Sequence, residues 1–162
     1  GGKVAVLDVD AHHGDGTQNI SYARGDVLTV STHADTHDYF PFYTGYADET
    51  GSGDGLGCNL NLPLAHGSTT SDFLPALEQA IDRIARFAPS AVVLAIGFDT
   101  YRDDPISVLR FDYDAYWHVG LRLRELGLPL VVVQEGGYMV EALGPGLTAL
   151  MNGLQGAPLN TL

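Results

Sequence analysis

The run from Val4 to Gly16, VAVLDVDAHHGDG, constrains this chain more than any other stretch. An apolar segment with the composition of a buried strand ends abruptly in Asp8, Asp10, His12, His13 and Asp15. Burying such groups without partners is costly, so a core strand has no structural reason to end this way. A bound cation supplies one. Side chains alternate along a strand, which puts Asp8, Asp10 and His12 on one side and His13 on the other. Asp10 and His12 then face one cation together. Carboxylate and neutral imidazole are ordinary ligands for zinc and for other divalent metals.

The remaining pattern says where such a strand end lies in a fold. Lys3–Asp10, Val27–Ser31, Ala91–Ile96 and Leu128–Val133 read as buried strands, and Cys58–Leu64 as a weaker edge strand. A short helix is expected over Thr17–Ala23. A longer one starts at Ser71-Asp72, with Pro75 in its first turn and Phe73, Leu77, Ile81 and Ile84 at helical spacing. Asp112–Leu126 reads as a helix stopped by Gly127, and Gly146–Leu154 as a last short one. Continuous apolar strands alternating with amphipathic helices indicate an α/β fold, a mostly parallel sheet with helices on both faces. Ligands of such sheets bind beyond the carboxyl ends of the strands. That rule gathers Asp10, His12, Asp99 and Tyr138 at one edge. Asp10, His12 and Asp99 make a three-ligand set that leaves coordination positions open, the catalytic pattern. Its oxygen-rich donors admit iron(II) or cobalt(II) as well as zinc. Tyr138, after Gly136 and Gly137, is either a tyrosine packed after a glycine turn, the stronger reading when it is taken alone, or a hydroxyl placed to donate to an oxyanion. Asp8 is left to orient a histidine or hold a monovalent cation. For Asp103 and Asp104, ahead of Pro105, a solvated turn is one reading, preferred for Asp103 alone. The long stretch Ala34–Thr69 carries Tyr39, Phe40, Phe42, Tyr43 and Tyr46 without helical periodicity. Loops of that length are usually functional, and these aromatics either wall a channel or form a small satellite core.

Composition narrows the partners. With 162 residues the chain is expected to be one domain, residues 1–162. Eight basic against 20 acidic residues give a net charge of −12, which argues against binding nucleic acid or an anionic membrane through a basic surface; the surplus serves ordinary solubility first, or attraction of cationic substrates. No apolar run approaches the ~20 residues of a membrane span. Cys58 is the sole cysteine, which excludes an internal disulfide and a thiolate metal cluster and fits a cytoplasmic location. The chain has no initiator Met and enters its first strand almost at once, so it reads as cut from something longer, or processed.

Three motifs resemble the zinc-dependent deacetylase family of histone deacetylases and acetylpolyamine amidohydrolases: DVDAHHGDGTQ at 8–18, GFDT at 97–100 with Asp104-Pro105 beyond, and EGGY at 135–138. GTQ, DPIS and EGGY look most like its bacterial acetylpolyamine amidohydrolase branch. The resemblance implies an arginase/deacetylase-type fold, Asp10, His12 and Asp99 as zinc ligands, and Tyr138 as oxyanion donor. It implies Phe40 as one aromatic wall of an acyl-lysine tunnel and Gly136 and Gly137 beside the substrate. By it Asp8 pairs with a catalytic histidine and touches a potassium ion near Ser31, and Asp15 partners a second histidine. The substrate expected is a small acylated amine or acetyl-lysine. The family's tandem catalytic histidines precede the first motif and are not matched here, because His12 is needed as a ligand and His13 faces away. The N-terminal part of the fold is therefore expected to be absent, the chain alone to turn over weakly, and an exposed sheet edge to invite homo-oligomers. Ile106 stands where an acidic selector for polyamines is expected, which argues against assuming a polyamine. A non-catalytic metal-binding or assembly module is the main alternative. A binuclear manganese ureohydrolase is disfavoured, because Gly14 and Tyr101 stand where its second metal needs carboxylates.

Overall fold

The structure, a computed structural model, describes residues 2–159. Five strands alternate with helices: β1 (Val4–Val9), α1 (Asp15–Ser21), β2 (Val27–Ala34), β3 (Asn59–Leu64), α2 (Thr70–Phe87), β4 (Ala91–Ile96), α3 (Tyr113–Leu126), β5 (Leu130–Gln134) and α4 (Val140–Gln155). All pairings are parallel, in the order β3-β2-β1-β4-β5. The chain moves outward in one direction from β1 and then returns to add β4 and β5 on its other side. With the right-handed crossovers that parallel strands almost always take, this order puts α1 on one face and α2 and α3 on the other.

The two faces differ in chemistry. Ala5, Leu7, Leu28, Val30, Val92 and Leu94 join Phe73, Leu77, Ile84 and Val119 of the helices in one core. The register Val6–Thr29–Asn59 and Asp8–Ser31–Asn61 makes the α1 side of β1, β2 and β3 polar. A polar inner face must be hydrogen-bonded throughout, and the long loop after β2 supplies the partners. Gln18 of α1 is the hub. Its Oε1 accepts from Asn59 and Asn61, and its Nε2 donates to Thr44 and Glu49.

Most boundaries expected from the sequence shift by a few residues for local reasons. β1 stops at Val9, and Asp10–His12 lie in bends. α1 starts at Asp15, two residues early, with its acid in the first turn where the helix dipole favours it. β2 runs on to Ala34 and β5 to Gln134. α2 begins at Thr70, capped by Asp72 accepting from the Thr69 N–H, so Pro75 falls in the second turn and not the first. Its cost is one hydrogen bond to the Ser71 carbonyl, and both residues are exposed. α4 is the largest correction, because it begins at Val140, six residues ahead of expectation, and carries Pro145 inside. It is held by close packing on α3: a Cβ on Gly120 would strike the α4 backbone at Leu150, and one on Gly153 the α3 backbone at Trp117.

β5 departs from the buried strand expected. Val131, Val132 and Val133 are 58%, 40% and 41% exposed, on both faces of the sheet. This is the bare apolar edge anticipated from the sequence.

Candidate metal centre

The three expected ligands converge. Asp10 and His12 follow β1, and Asp99 follows β4, its immediate neighbour in the sheet. One ligand atom from each lies within 4.8 Å of the others. His12 Nδ1 stands 3.0 Å from Asp10 Oδ1 and 3.1 Å from Asp99 Oδ2. Strand alternation is not what brings Asp10 and His12 together, since both lie beyond the strand. The bend is held instead by the carboxylates themselves. Asp10 Oδ1 accepts the His12 N–H at 2.8 Å, and Asp99 Oδ1 accepts the Ala11 N–H at 3.0 Å.

Glycines make room for these acids. A Cβ on Gly97 would collide with the carboxylates of Asp10 and Asp99, and one on Gly136 with Asp99. Gly136 also donates its N–H to Asp10 Oδ2 at 3.0 Å. Two buried carboxylates packed against bare backbone, with one imidazole between them, form a donor set that suits a divalent cation. The electrostatics agree. Hydrogen bonds to Asp10 and then Asp99 raise the His12 pKa to about 9. Burial raises Asp10, but its hydrogen bonds from His12 and the backbone outweigh that and lower it. Burial dominates for Asp99, which is fully enclosed, and raises it. An imidazolium is thus held where a metal cation would sit.

Of the other expected residues, Asp8, Asp15, Gly136 and Tyr138 line a cavity of about 500 Å³ with Asp10, His12, Asp99, His13 and Glu135. Tyr138 is 55% exposed, with its hydroxyl pKa raised by desolvation and then by Asp99 and Asp10. Asp15 opens α1, and its Oδ1 accepts the Gly16 N–H. Phe40 meets the His12 ring edge-on at 6.2 Å. Gly137, with φ of 136°, packs by Phe98 and Leu143, one residue beyond the glycine that touches the ligands. His13 turns away from His12 as expected. It is buried against His33, with Nε2 3.0 Å from Gln18, and burial lowers its pKa.

Asp8 is the anomaly of the site. Its Oδ1 is buried with no hydrogen-bond partner among the described residues. Burial first, then the charge of Asp10, raises its pKa to about 8. It lines a second, small cavity of about 10 Å³ together with Ser31, Thr29 and His13. That volume is close to what one water-sized occupant needs.

Two contributors were not anticipated. Tyr39 stacks on the His12 ring at 4.7 Å and 15°, closer than Phe40. Asp104 is buried, not in a solvated turn, and accepts the N–H groups of Tyr138 and Met139. Its neighbour Asp103 does stay exposed, beside Arg102. Tyr39 was legible as one of a run of loop aromatics, whereas nothing local to Asp104 announces its partners 34 residues on.

Comparison with known proteins agrees with this geometry. The histone deacetylase domain matches residues 1–154. Acetylpolyamine amidohydrolase 1 of Pseudomonas aeruginosa is 50% identical over 155 residues, 96% of this chain and 45% of that protein. The acetylpolyamine amidohydrolase of Burkholderia pseudomallei is 47% identical over 93% of this chain and 44% of its own length. A crystal structure of the acetylpolyamine aminohydrolase from Burkholderia pseudomallei superposes with a TM-score of 0.91 at 47% identity, covering 93% of this chain and 44% of that one. An HDAC homologue from Aquifex aeolicus superposes at 0.89 with 32% identity, covering 96% and 42%. The chain spans less than half the length of these relatives. On the domain match and this shared architecture, the chain belongs to the histone deacetylase family.

Proposed function

We propose that this chain carries the metal-binding part of an amidohydrolase site that removes an acetyl group from an amine, an acetylated polyamine or acetyl-lysine. The observation that carries the reading is the convergence of Asp10, His12 and Asp99 beside Tyr138 on one cavity. Asp10, His12 and Asp99 would hold the cation, zinc first and iron(II) or cobalt(II) as competitors. Such a cation lowers the pKa of water and polarises a carbonyl. The chain's own groups do the rest. Tyr138 donates its O–H to the oxygen that gains charge as the amide carbon becomes tetrahedral. Phe40 and Tyr39 wall the approach. The surplus of acidic residues draws a cationic amine toward the cavity. Asp8 and Ser31 frame the place proposed for potassium, and Asp15 stands ready to orient a histidine. His13 borders the same cavity but is buried with its Nε2 held by Gln18, so we assign it no role as base. Losing general acid–base help typically costs ~10²–10⁴ in rate, and we expect the chain alone to be slow. The ureohydrolase alternative finds no support, because Tyr101 stacks on Tyr113 and Gly14 packs on Asp8.

The test is hydrolysis of an acetyl-lysine or acetylated polyamine reporter by the zinc-reconstituted chain, run beside Tyr138→Phe and His12→Ala. Turnover lost in both variants supports the amidohydrolase. Zinc bound through His12 without turnover supports the metal-binding module instead. No bound zinc sinks the metal-centre assignment.

A further inference from the structure

We propose that Asp104 is a positioning residue for Tyr138, setting the direction in which that ring leaves the backbone. Gly136 and Gly137 precede Tyr138, and two glycines by themselves leave its direction loose. Something outside the loop must fix it. Asp104 Oδ2 accepts the Tyr138 N–H at 2.7 Å and the Met139 N–H at 3.0 Å. The carboxylate is buried, and charge-assisted hydrogen bonds of this kind are the strong ones.

The acid is itself braced. Its Oδ1 accepts the Ile106 N–H at 3.1 Å, and the Ile106 carbonyl accepts the Tyr39 hydroxyl at 2.9 Å. Tyr39 stacks on His12. One continuous path, His12–Tyr39–Ile106–Asp104–Tyr138, therefore joins a proposed metal ligand to the proposed oxyanion donor without passing through the sheet. Geometry held within fractions of an ångström is what such a pair needs. The plainer role for Asp104 is to cap α4, whose first turn has no side-chain cap of its own. The two roles part company at the Tyr138 ring, which a mere cap does not control.

The catalytic half of this inference rests on Tyr138 being the oxyanion donor, and the positional half does not. The whole chain, labelled with nitrogen-15 and carbon-13, should show coupling through the hydrogen bond between the Asp104 carboxylate carbon and the amide nitrogens of Tyr138 and Met139. Absence of both couplings overturns the proposal, and this measurement needs no variant. In Asp104→Asn, exchange of those two amides should quicken about tenfold or more while β1 and α2 amides stay within about twofold. A 3-fluorotyrosine resonance assigned to Tyr138 should move toward that of a solvent-averaged tyrosine. An unmoved ring resonance means that Asp104 only caps α4, and overturns the proposal. With zinc and an acetylated amine reporter, Asp104→Asn should lower kcat about tenfold with KM within about twofold, and add nothing in a Tyr138→Phe background. If Tyr138→Phe itself leaves turnover unchanged, the oxyanion reading fails, while the fluorine resonance still decides whether Asp104 positions the ring.

Discussion

Replacing Asp8 by asparagine should change the pH dependence of stability. The folded-state pKa is raised from 3.8 to about 8, chiefly by burial. An acid with a raised folded pKa binds more protons in the folded state than in the unfolded state between those values. Stability therefore falls as pH rises from about 4 to about 8, by about 1.4 kcal/mol per unit. Between about pH 5 and pH 8 the loss sums to roughly 3–4 kcal/mol, an upper figure because buried sites relax around a charge. Asparagine does not titrate, so the stability of Asp8→Asn minus that of wild type should climb by that amount over the interval.

Other groups shift too, which is why the difference is the quantity to read. Burial lowers His33 to about 4, so its contribution rises with pH from about 4 to 6.5. His12, raised to about 9, contributes stability that is lost between about 6.5 and 9. Both are common to the two proteins and largely cancel. Urea melts at closely spaced pH values give the comparison directly. Repeating them in potassium and in tetramethylammonium chloride at matched ionic strength asks whether the carboxylate holds a cation. Potassium should flatten the wild-type profile and leave the variant unmoved. A difference between the two proteins that stays flat within about 1 kcal/mol across the interval would refute the claim that Asp8 is buried without compensation.

Three further outcomes follow from the same geometry. Zinc must displace the proton that Asp10 and Asp99 hold on His12, so its apparent affinity by calorimetry should weaken about tenfold per unit as pH falls below about 9, and His12→Ala should reduce the stoichiometry from one to none. Gln18→Leu removes the acceptor shared by Asn59, Asn61 and His13 and the donor to Thr44 and Glu49, and should cost about 2–4 kcal/mol in urea, with faster amide exchange in the loop after β2; a loss below about 0.5 kcal/mol would mean that the hub is dispensable. Val131→Lys, on the bare face of β5, should leave stability within about 0.5 kcal/mol while weakening self-association in sedimentation velocity, and a wild-type chain that stays monomeric at all concentrations removes β5 as an association surface.

The sheet was legible because its signals are local and redundant. Ala91–Ile96 is apolar without interruption, and the structure forms β4 over those same residues. α3 matches its expectation from the Asp112 cap to Gly127, which takes the left-handed φ of 65° that its glycine permits. The errors came where local rules conflict with packing. Gly144-Pro145-Gly146 looks like a break, yet α4 runs through it, because the stripe Ala142, Gly146, Ala149, Leu150 and Gly153 seats the helix on α3. Likewise the Val131–Val133 run reads as core, but its exposure is decided by what stands beside β5, and no residue of β5 itself encodes that.

The site teaches a different lesson. The convergence of Asp10, His12 and Asp99 was legible from chemistry plus one topological rule, because β1 and β4 are adjacent and parallel, so their ends must meet. The intermediate step was wrong in detail: the strand ends before Asp10, and alternation does not align the ligands. The ligands align because each carboxylate spends its second oxygen on a backbone N–H of the bend or of the neighbouring loop, Asp10 on Gly136 and Asp99 on Ala11. A carboxylate fixed at both oxygens has one orientation, and that is what a metal centre needs. Asp104 follows the same logic one step away, holding Tyr138 by its N–H with one oxygen and Ile106 with the other. Residues that act through backbone N–H groups leave no pattern in sequence, since every residue but proline offers the same donor. Candidate ligands are legible from their chemistry, whereas the residues that would aim them become visible only when the fold brings distant backbone within reach.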